Sequence, residues 1–213
     1  MKIAVFGITG RIGSRIAQEA LSRGHEVTGI ARKPGSIPIT HAKLRILAGD
    51  VTDAAGVAKL VAGHDVVINA VGPDMQKGAG SLLTDAAQTL LRTLKRTGVK
   101  KLLVVGGAGS LEVAPGLLLM DSPQFPADWK PIAKAHGDAL AVYRGEKDLE
   151  WVYLSPAALI EPGTRTGSYR VGEEKLLTDE GGNSRISMED FAVAVLDEIE
   201  KPRQVRKRFT VAS

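Results

Sequence analysis

The chain has no cysteine. That absence excludes disulfides, thiolate metal sites and cysteine nucleophiles together. Long apolar runs are also missing. The opening MKIAVFGITG meets a glycine after six residues, which is too short for a signal-peptide core, and no window approaches the length of a membrane helix. Histidine is sparse, and His25, His41, His64 and His136 are dispersed without metal-ligand spacing. No Gly-x-Ser-x-Gly elbow appears, so hydrolase chemistry is set aside with zinc chemistry.

What remains is the composition of an ordinary globular domain: 213 residues, 44% apolar and 24% charged. That length can bury a sizeable core as one domain, residues 1–213. The net charge is +4, from 28 Lys and Arg against 24 Asp and Glu. Much of the excess lies between Lys201 and Arg208, with no aromatic residues interleaved. We read it as a mildly basic enzyme that attracts a phosphorylated cofactor, not as a nucleic-acid binder. The expected setting is cytoplasmic, away from membranes, as a monomer or homodimer.

Strands and helices alternate along the chain. Continuous apolar strands are expected at Lys2–Phe6, Glu26–Ala31, Leu44–Ala48, Asp65–Ala70, Lys101–Val105 and Trp151–Leu154, with Arg208–Val211 as a last strand. Helical spacing covers Arg11–Ser22, the stretch from Asp53 to Val61, Leu82–Thr97, Ile132–Lys147, and the stretch from Ser187 to Glu200. Pro34 to Pro38 reads as a turn, residues 108–130 as a long loop, and Ser168–Val171 with Lys175–Thr178 as a small strand pair. This alternation predicts an α/β, Rossmann-type, doubly wound and mainly parallel sheet, with helices on both faces and a small C-terminal extension.

Between the first strand and the first helix stands Gly7-Ile8-Thr9-Gly10-Arg11-Ile12-Gly13. In this context the first glycine permits a tight turn, the second lets backbone approach a pyrophosphate, and the third lets helix pack closely on strand. The pyrophosphate would rest on free amides at the helix N-terminus. Past the second strand, where an NAD site places an acidic residue, the chain has Ala31-Arg32-Lys33. An Arg there suits a 2′-phosphate, so NADP(H) is the expected cofactor, with NAD(H) as the alternative. Arg11 adds stacking or charge. Asp50-Val51 and Ala70-Val71-Gly72 fall at carboxyl ends of strands, where open α/β sheets bind ligands. Asp50 reads either as an acceptor for an adenine amine or as a loop carboxylate or helix cap.

The stretch IAVFGITGRIGSRIAQEAL, the pair Ala31-Arg32, GDVTD at 49–53 and VINAVG at 67–72 resemble NAD(P)-binding proteins of the atypical short-chain dehydrogenase/reductase superfamily. The tail LSPAALIEPGTRTGSYRVG and then GGNSRISMEDFAVAVLDEIE is similar to the NADH-flavin reductase group, to biliverdin reductase B and to NmrA-like proteins. The resemblance implies a pyridine nucleotide and reduction of a flavin or similar planar acceptor, with residues 108–130 and 156–186 on the substrate side.

Members of that superfamily ordinarily place a Ser after the fifth strand and a Tyr-x-x-x-Lys on the next helix. Here the fifth strand ends in Gly106-Gly107-Ala108, with Ser110 slightly beyond. Lys134 falls in the Lys position and Lys130 where the Tyr belongs. Tyr143 and Lys147 have the spacing but sit at the far end of the helix. The usual proton donor is therefore missing. An electron-poor planar acceptor tolerates this, because solvent or a weak acid can protonate it. His136 matches a His of biliverdin reductase B, and reads either as that acid or as a surface residue of an amphipathic helix. Lys134, on a different helix face, is expected to hold the nicotinamide ribose. Ser155-Pro156-Ala157-Ala158 reads as a pocket wall or a simple strand stop. Two other functions stay open: a non-catalytic NADP(H)-binding sensor, favoured by the missing Ser and Tyr, and an epimerase-like enzyme, opposed by the absent Tyr and short C-terminal region.

Overall fold

The computed structural model describes residues 1–35, 37–73 and 80–213. In chain order the elements are β1 (Lys2–Phe6), α1 (Arg11–Ser22), β2 (Glu26–Ala31), β3 (Leu44–Ala48), α2 (Ala54–Val61), β4 (Val66–Asn69), α3 (Leu82–Thr97) and β5 (Lys101–Val105). Then follow β6 (Glu112–Ala114), β7 (Leu117–Leu118), α4 (Lys130–Arg144), β8 (Glu150–Ser155), β9 (Leu159–Glu161), β10 (Arg170–Gly172), β11 (Arg185–Ser187), α5 (Met188–Glu200) and β12 (Lys207–Ala212).

The central eight-stranded sheet runs β10-β12-β8-β5-β4-β1-β2-β3. Every pairing in it is parallel except the antiparallel edge pair β10–β12. This is the Rossmann-like, doubly wound arrangement. The direction of strand addition reverses between β1 and β4, which opens a crevice at their carboxyl ends.

The period-two alternation of strand side chains divides the core between two faces. Ile3, Val5, Ile68, Leu103 and Leu154 face α1 and α5, packing with Ile16, Phe191 and Val195. Ala4, Phe6, Val67, Leu102 and Tyr153 face α2, α3 and α4, packing with Val57, Leu90 and Leu140. Because both faces are covered, the strands read as unbroken apolar runs.

Three sequence expectations change. The small strand pair does not form: β10 adds to the open edge of β12, while Lys175 bridges to Glu112. An edge strand with free backbone groups is a stronger template than a short local hairpin. The 108–130 loop holds a hairpin, β6–β7, turned at Pro115-Gly116 with Gly116 at φ 75°, as a Pro-Gly turn requires. Helix α4 ends at Arg144, capped by Gly145, so Lys147 lies beyond it. The turn expected at Pro34–Pro38 includes residue 36, which lies outside the described residues.

Candidate functional site

The turn after β1 is built by exclusion. Gly7 has φ 82°, and a Cβ there would sit 2.6 Å from the Ala70 carbonyl oxygen. A Cβ on Gly13 would lie 2.1 Å from the Gly7 carbonyl oxygen. Neither backbone position can give way, so both residues must be glycine for the helix to start this close to the sheet. Gly10 meets only the Gly7 oxygen, at 3.1 Å, leaving its other side open to a ligand. Ile8 is fully buried and wedges under Gly29, whose missing Cβ leaves the room.

Helix α1 has no side-chain cap at Gly10. Its first internal backbone bond runs from the Ser14 amide to the Gly10 carbonyl. Among the described residues no acceptor takes the amides of Arg11, Ile12 or Gly13. Free amides with a helix dipole behind them form a site for an anion.

A cleft opens above this turn. The turn supplies Gly7, Thr9 and Gly10, and the end of β2 supplies Arg32. The end of β3 gives Asp50 and Val51, and the end of β4 gives Ala70, Val71 and Gly72. Nine of the expected cofactor residues thus meet in one cavity. The other three belong to the helix side: Gly13 is buried under the turn, Arg11 is exposed, and Ile12 turns toward a second pocket. Asp50 settles part of its own ambiguity. Its Oδ1 accepts from the Thr52 amide (2.9 Å) and hydroxyl (2.7 Å), and these bonds hold its pKa below the usual value, with Arg32's charge assisting. The cap of α2 is Asp53 instead, accepting from the Ala55 amide at 3.1 Å.

The second pocket lies at the carboxyl ends of β5 and β8. Ile12 forms one wall, Gly106 to Gly109 the floor, and Pro156, Ala157 and Ala158 the far side. Leu119, Phe125, Trp129 and Ile132 close the rim. The floor glycines make room for protein. A Cβ on Gly106 would meet the Tyr153 ring at 2.1 Å, and one on Gly107 the His136 ring at 2.9 Å. His136 lines the pocket. The Tyr153 hydroxyl donates to its backbone oxygen at 2.9 Å and lies 3.4 Å from its Nδ1. Burial pushes the imidazole down from the ordinary 6.5 to about 4, so at neutral pH it is an uncharged ring.

Lys134 does not reach this pocket. Its side chain is 70% exposed and its ammonium is bonded to Asp138 at 2.6 Å, one turn along α4, because residue 134 faces away from the pocket side that carries Ala133 and His136. Lys130 is also exposed and outside the lining. Tyr143 packs between Trp151 and Tyr153 in the core, and burial raises its pKa. Ser155 is fully buried behind the pocket wall.

Ser110 has a structural partner. The buried Arg208 guanidinium donates to its hydroxyl at 2.8 Å and to its carbonyl at 3.0 Å. Arg208 also pairs with Glu174, which accepts from Arg144 at 2.9 Å as well. Backbone bonds between Glu112 and both Glu174 and Leu176 complete the tie. The basic tail is thus not wholly a solvated run, since its last Arg anchors the loop that walls the pocket.

Sequence reasoning put residues 108–130 and 156–186 on the substrate side but singled out none of Leu119, Phe125, Trp129, Ile132 and Ile160. Two signals were available: the Gly-Gly-Ala-Gly run after β5, and two aromatics close together in a chain that has few.

A model of an NAD(P)H-binding family matches residues 7–200. Three solved structures are similar over almost the whole chain. A putative exported protein from Burkholderia pseudomallei is 46% identical, with TM-score 0.89 and full coverage of both chains. A putative epimerase from Bacteroides thetaiotaomicron is 41% identical at TM-score 0.91, covering 99% of this chain and 96% of that one. A putative NADH-flavin reductase from Streptococcus pneumoniae is 34% identical at TM-score 0.88, covering 100% and 99%. Among the described residues no helix is long and apolar enough to cross a membrane, and no group of three His, Cys, Asp or Glu is placed to hold a metal. The chain belongs to the NAD(P)H-binding family.

Proposed function

We infer that this chain is an NADP(H)-dependent reductase that passes a hydride to a planar, electron-poor acceptor. The carrying observation is that Ile12 of the glycine turn also walls the apolar pocket, so the acceptor site begins where the nucleotide cleft ends. The free amides of Arg11 to Gly13 suit a pyrophosphate, and Arg32 stands where a 2′-phosphate would meet it. When bound, the reduced nicotinamide supplies the hydride. The residues of this chain bind, align and keep water out. The acceptor takes up the hydride and one solvent proton, two electrons in all, and the nicotinamide is left oxidised.

No side chain among the described pocket residues is a ready acid at neutral pH. His136 is uncharged, and Tyr153 is buried with its pKa raised. This favours acceptors whose reduced form needs no enzymic proton, such as flavins and quinones. It also opposes the dehydrogenase and epimerase chemistry that depends on a Tyr. The same feature favours one second reading, a cofactor-binding sensor without turnover. Loss of reduced-nicotinamide absorbance on mixing with a panel of flavins and quinones decides between them. Oxidation with any acceptor supports the reductase; tight cofactor binding with no oxidation across the panel supports the sensor.

A further inference from the structure

The two ends of the cleft differ in polarity. At the nucleotide end the cavity is lined by the ionised side chains Arg32 and Asp50, and Lys33 follows Arg32. At the acceptor end the walls are apolar or glycine, and the one ionisable lining residue among those described, His136, is neutral. The two short helical turns that supply the rim, Leu119–Asp121 and Ala127–Trp129, each carry an exposed acid beside the apolar wall residue: Asp121 beside Leu119, and Asp128 beside Trp129. Of the nearby cations, Lys134 is held by Asp138, and Lys130, which follows Trp129, is exposed and lies outside the pocket lining.

A phosphate drawn into the apolar lining would lose hydration without gaining a charged partner there, which is costly for a group bearing nearly two charges. The adjacent acids add repulsion. Trp129, half-exposed at the mouth, instead offers a ring face for stacking.

We propose that the acceptor is an uncharged planar ring compound, seated between the floor at Gly107 and the indole of Trp129, and that the pocket rejects otherwise identical acceptors bearing a phosphate. For turnover this rests on the reductase reading above. For binding it stands alone.

Riboflavin and FMN share one ring system and differ by the phosphate, so they isolate the effect. Flavin fluorescence titrations of the full chain saturated with NADP⁺ give affinities, and steady-state assays with NADPH give kcat/KM. The expected preference for riboflavin is about fivefold or more in both, as one unfavourable charge contact dictates. A smaller ratio, a preference for FMN, or no binding of either flavin overturns the proposal. A riboflavin preference in binding with no turnover keeps the neutral site and removes the reductase reading. Equal turnover of both flavins keeps the reductase and removes the neutral site. Trp129→Arg places a cation at an exposed position that tolerates substitution. It should shift the ratio toward FMN by about fivefold, and an unchanged ratio counts against the proposal.

Discussion

Glycines crowd the carboxyl ends of both β1 and β5, yet they serve different neighbours. At β1 they let backbone meet backbone, as Gly13 does against the Gly7 carbonyl, and leave helix amides open on the Gly10 side. At β5 they are filled from within the protein, by Tyr153 under Gly106, His136 under Gly107 and Ala133 under Gly109. The first cluster shapes an anion site. The second lets an apolar floor sit close on α4. A glycine-rich turn therefore takes its meaning from what occupies the missing Cβ.

The comparison breaks most sharply at Gly13. Gly13→Ala drives a methyl into the Gly7 carbonyl, so cofactor affinity should fall about 100-fold or more, measured by calorimetry beside a melting curve that reports any fold loss. A retained affinity would mean the α1 amides do not hold the diphosphate. Arg32→Ala should weaken NADPH by about 10–100-fold, the span of a charge-assisted bond, while NADH shifts less than about twofold. Equal losses would separate Arg32 from the 2′-phosphate. On the other side, Gly107→Ala must displace the His136 ring. Acceptor kcat/KM should drop about fivefold to tenfold with cofactor affinity held within about twofold. If both parameters fall together, the two halves are not separable.

Much of the nucleotide half was legible in the sequence because its logic is local. Strand, turn and helix follow one another over residues 2–22, and the three glycines report on each other. Arg32 needs only the end of β2 to be placed. The acceptor half was legible only in outline, through His136, Pro156 to Ala158 and the stretches 108–130 and 156–186, because its parts meet through tertiary packing. Nothing near Gly106 in sequence announces the Tyr153 ring beneath it, and Arg208 is an ordinary cation of a basic tail until β12 carries it to Ser110 and Glu174. Lys134 shows the opposite error. Its motif position suggested a role, and the helix face on which it falls points elsewhere.

Smaller effects sharpen the contrast. His136 is half-buried in the acceptor half, and desolvation of its ring lowers its pKa to about 4. Between the ordinary 6.5 and about 4, the unfolded chain takes up a proton that the folded chain refuses. Stability should therefore fall as pH drops through that window, and His136→Gln should flatten this part of the curve. Urea midpoints measured across pH 4 to 7 test it, and an unaltered slope would contradict the burial of the imidazole. Least of all, Lys134→Ala should cost about 0.3–0.5 kcal/mol at most, the value of an exposed pair one helical turn apart, with kcat/KM unchanged within about twofold. A larger catalytic loss would return Lys134 to the site.

The most direct test is a crystal structure grown with saturating NADPH. The account predicts diphosphate oxygens within hydrogen-bond reach, about 2.7–3.2 Å, of the Arg11 and Ile12 amides, the 2′-phosphate at Arg32, and the nicotinamide ring beside Ile12, where the acceptor pocket begins. A diphosphate bound away from the first turn of α1, or a cleft left empty at saturating nucleotide, would contradict it.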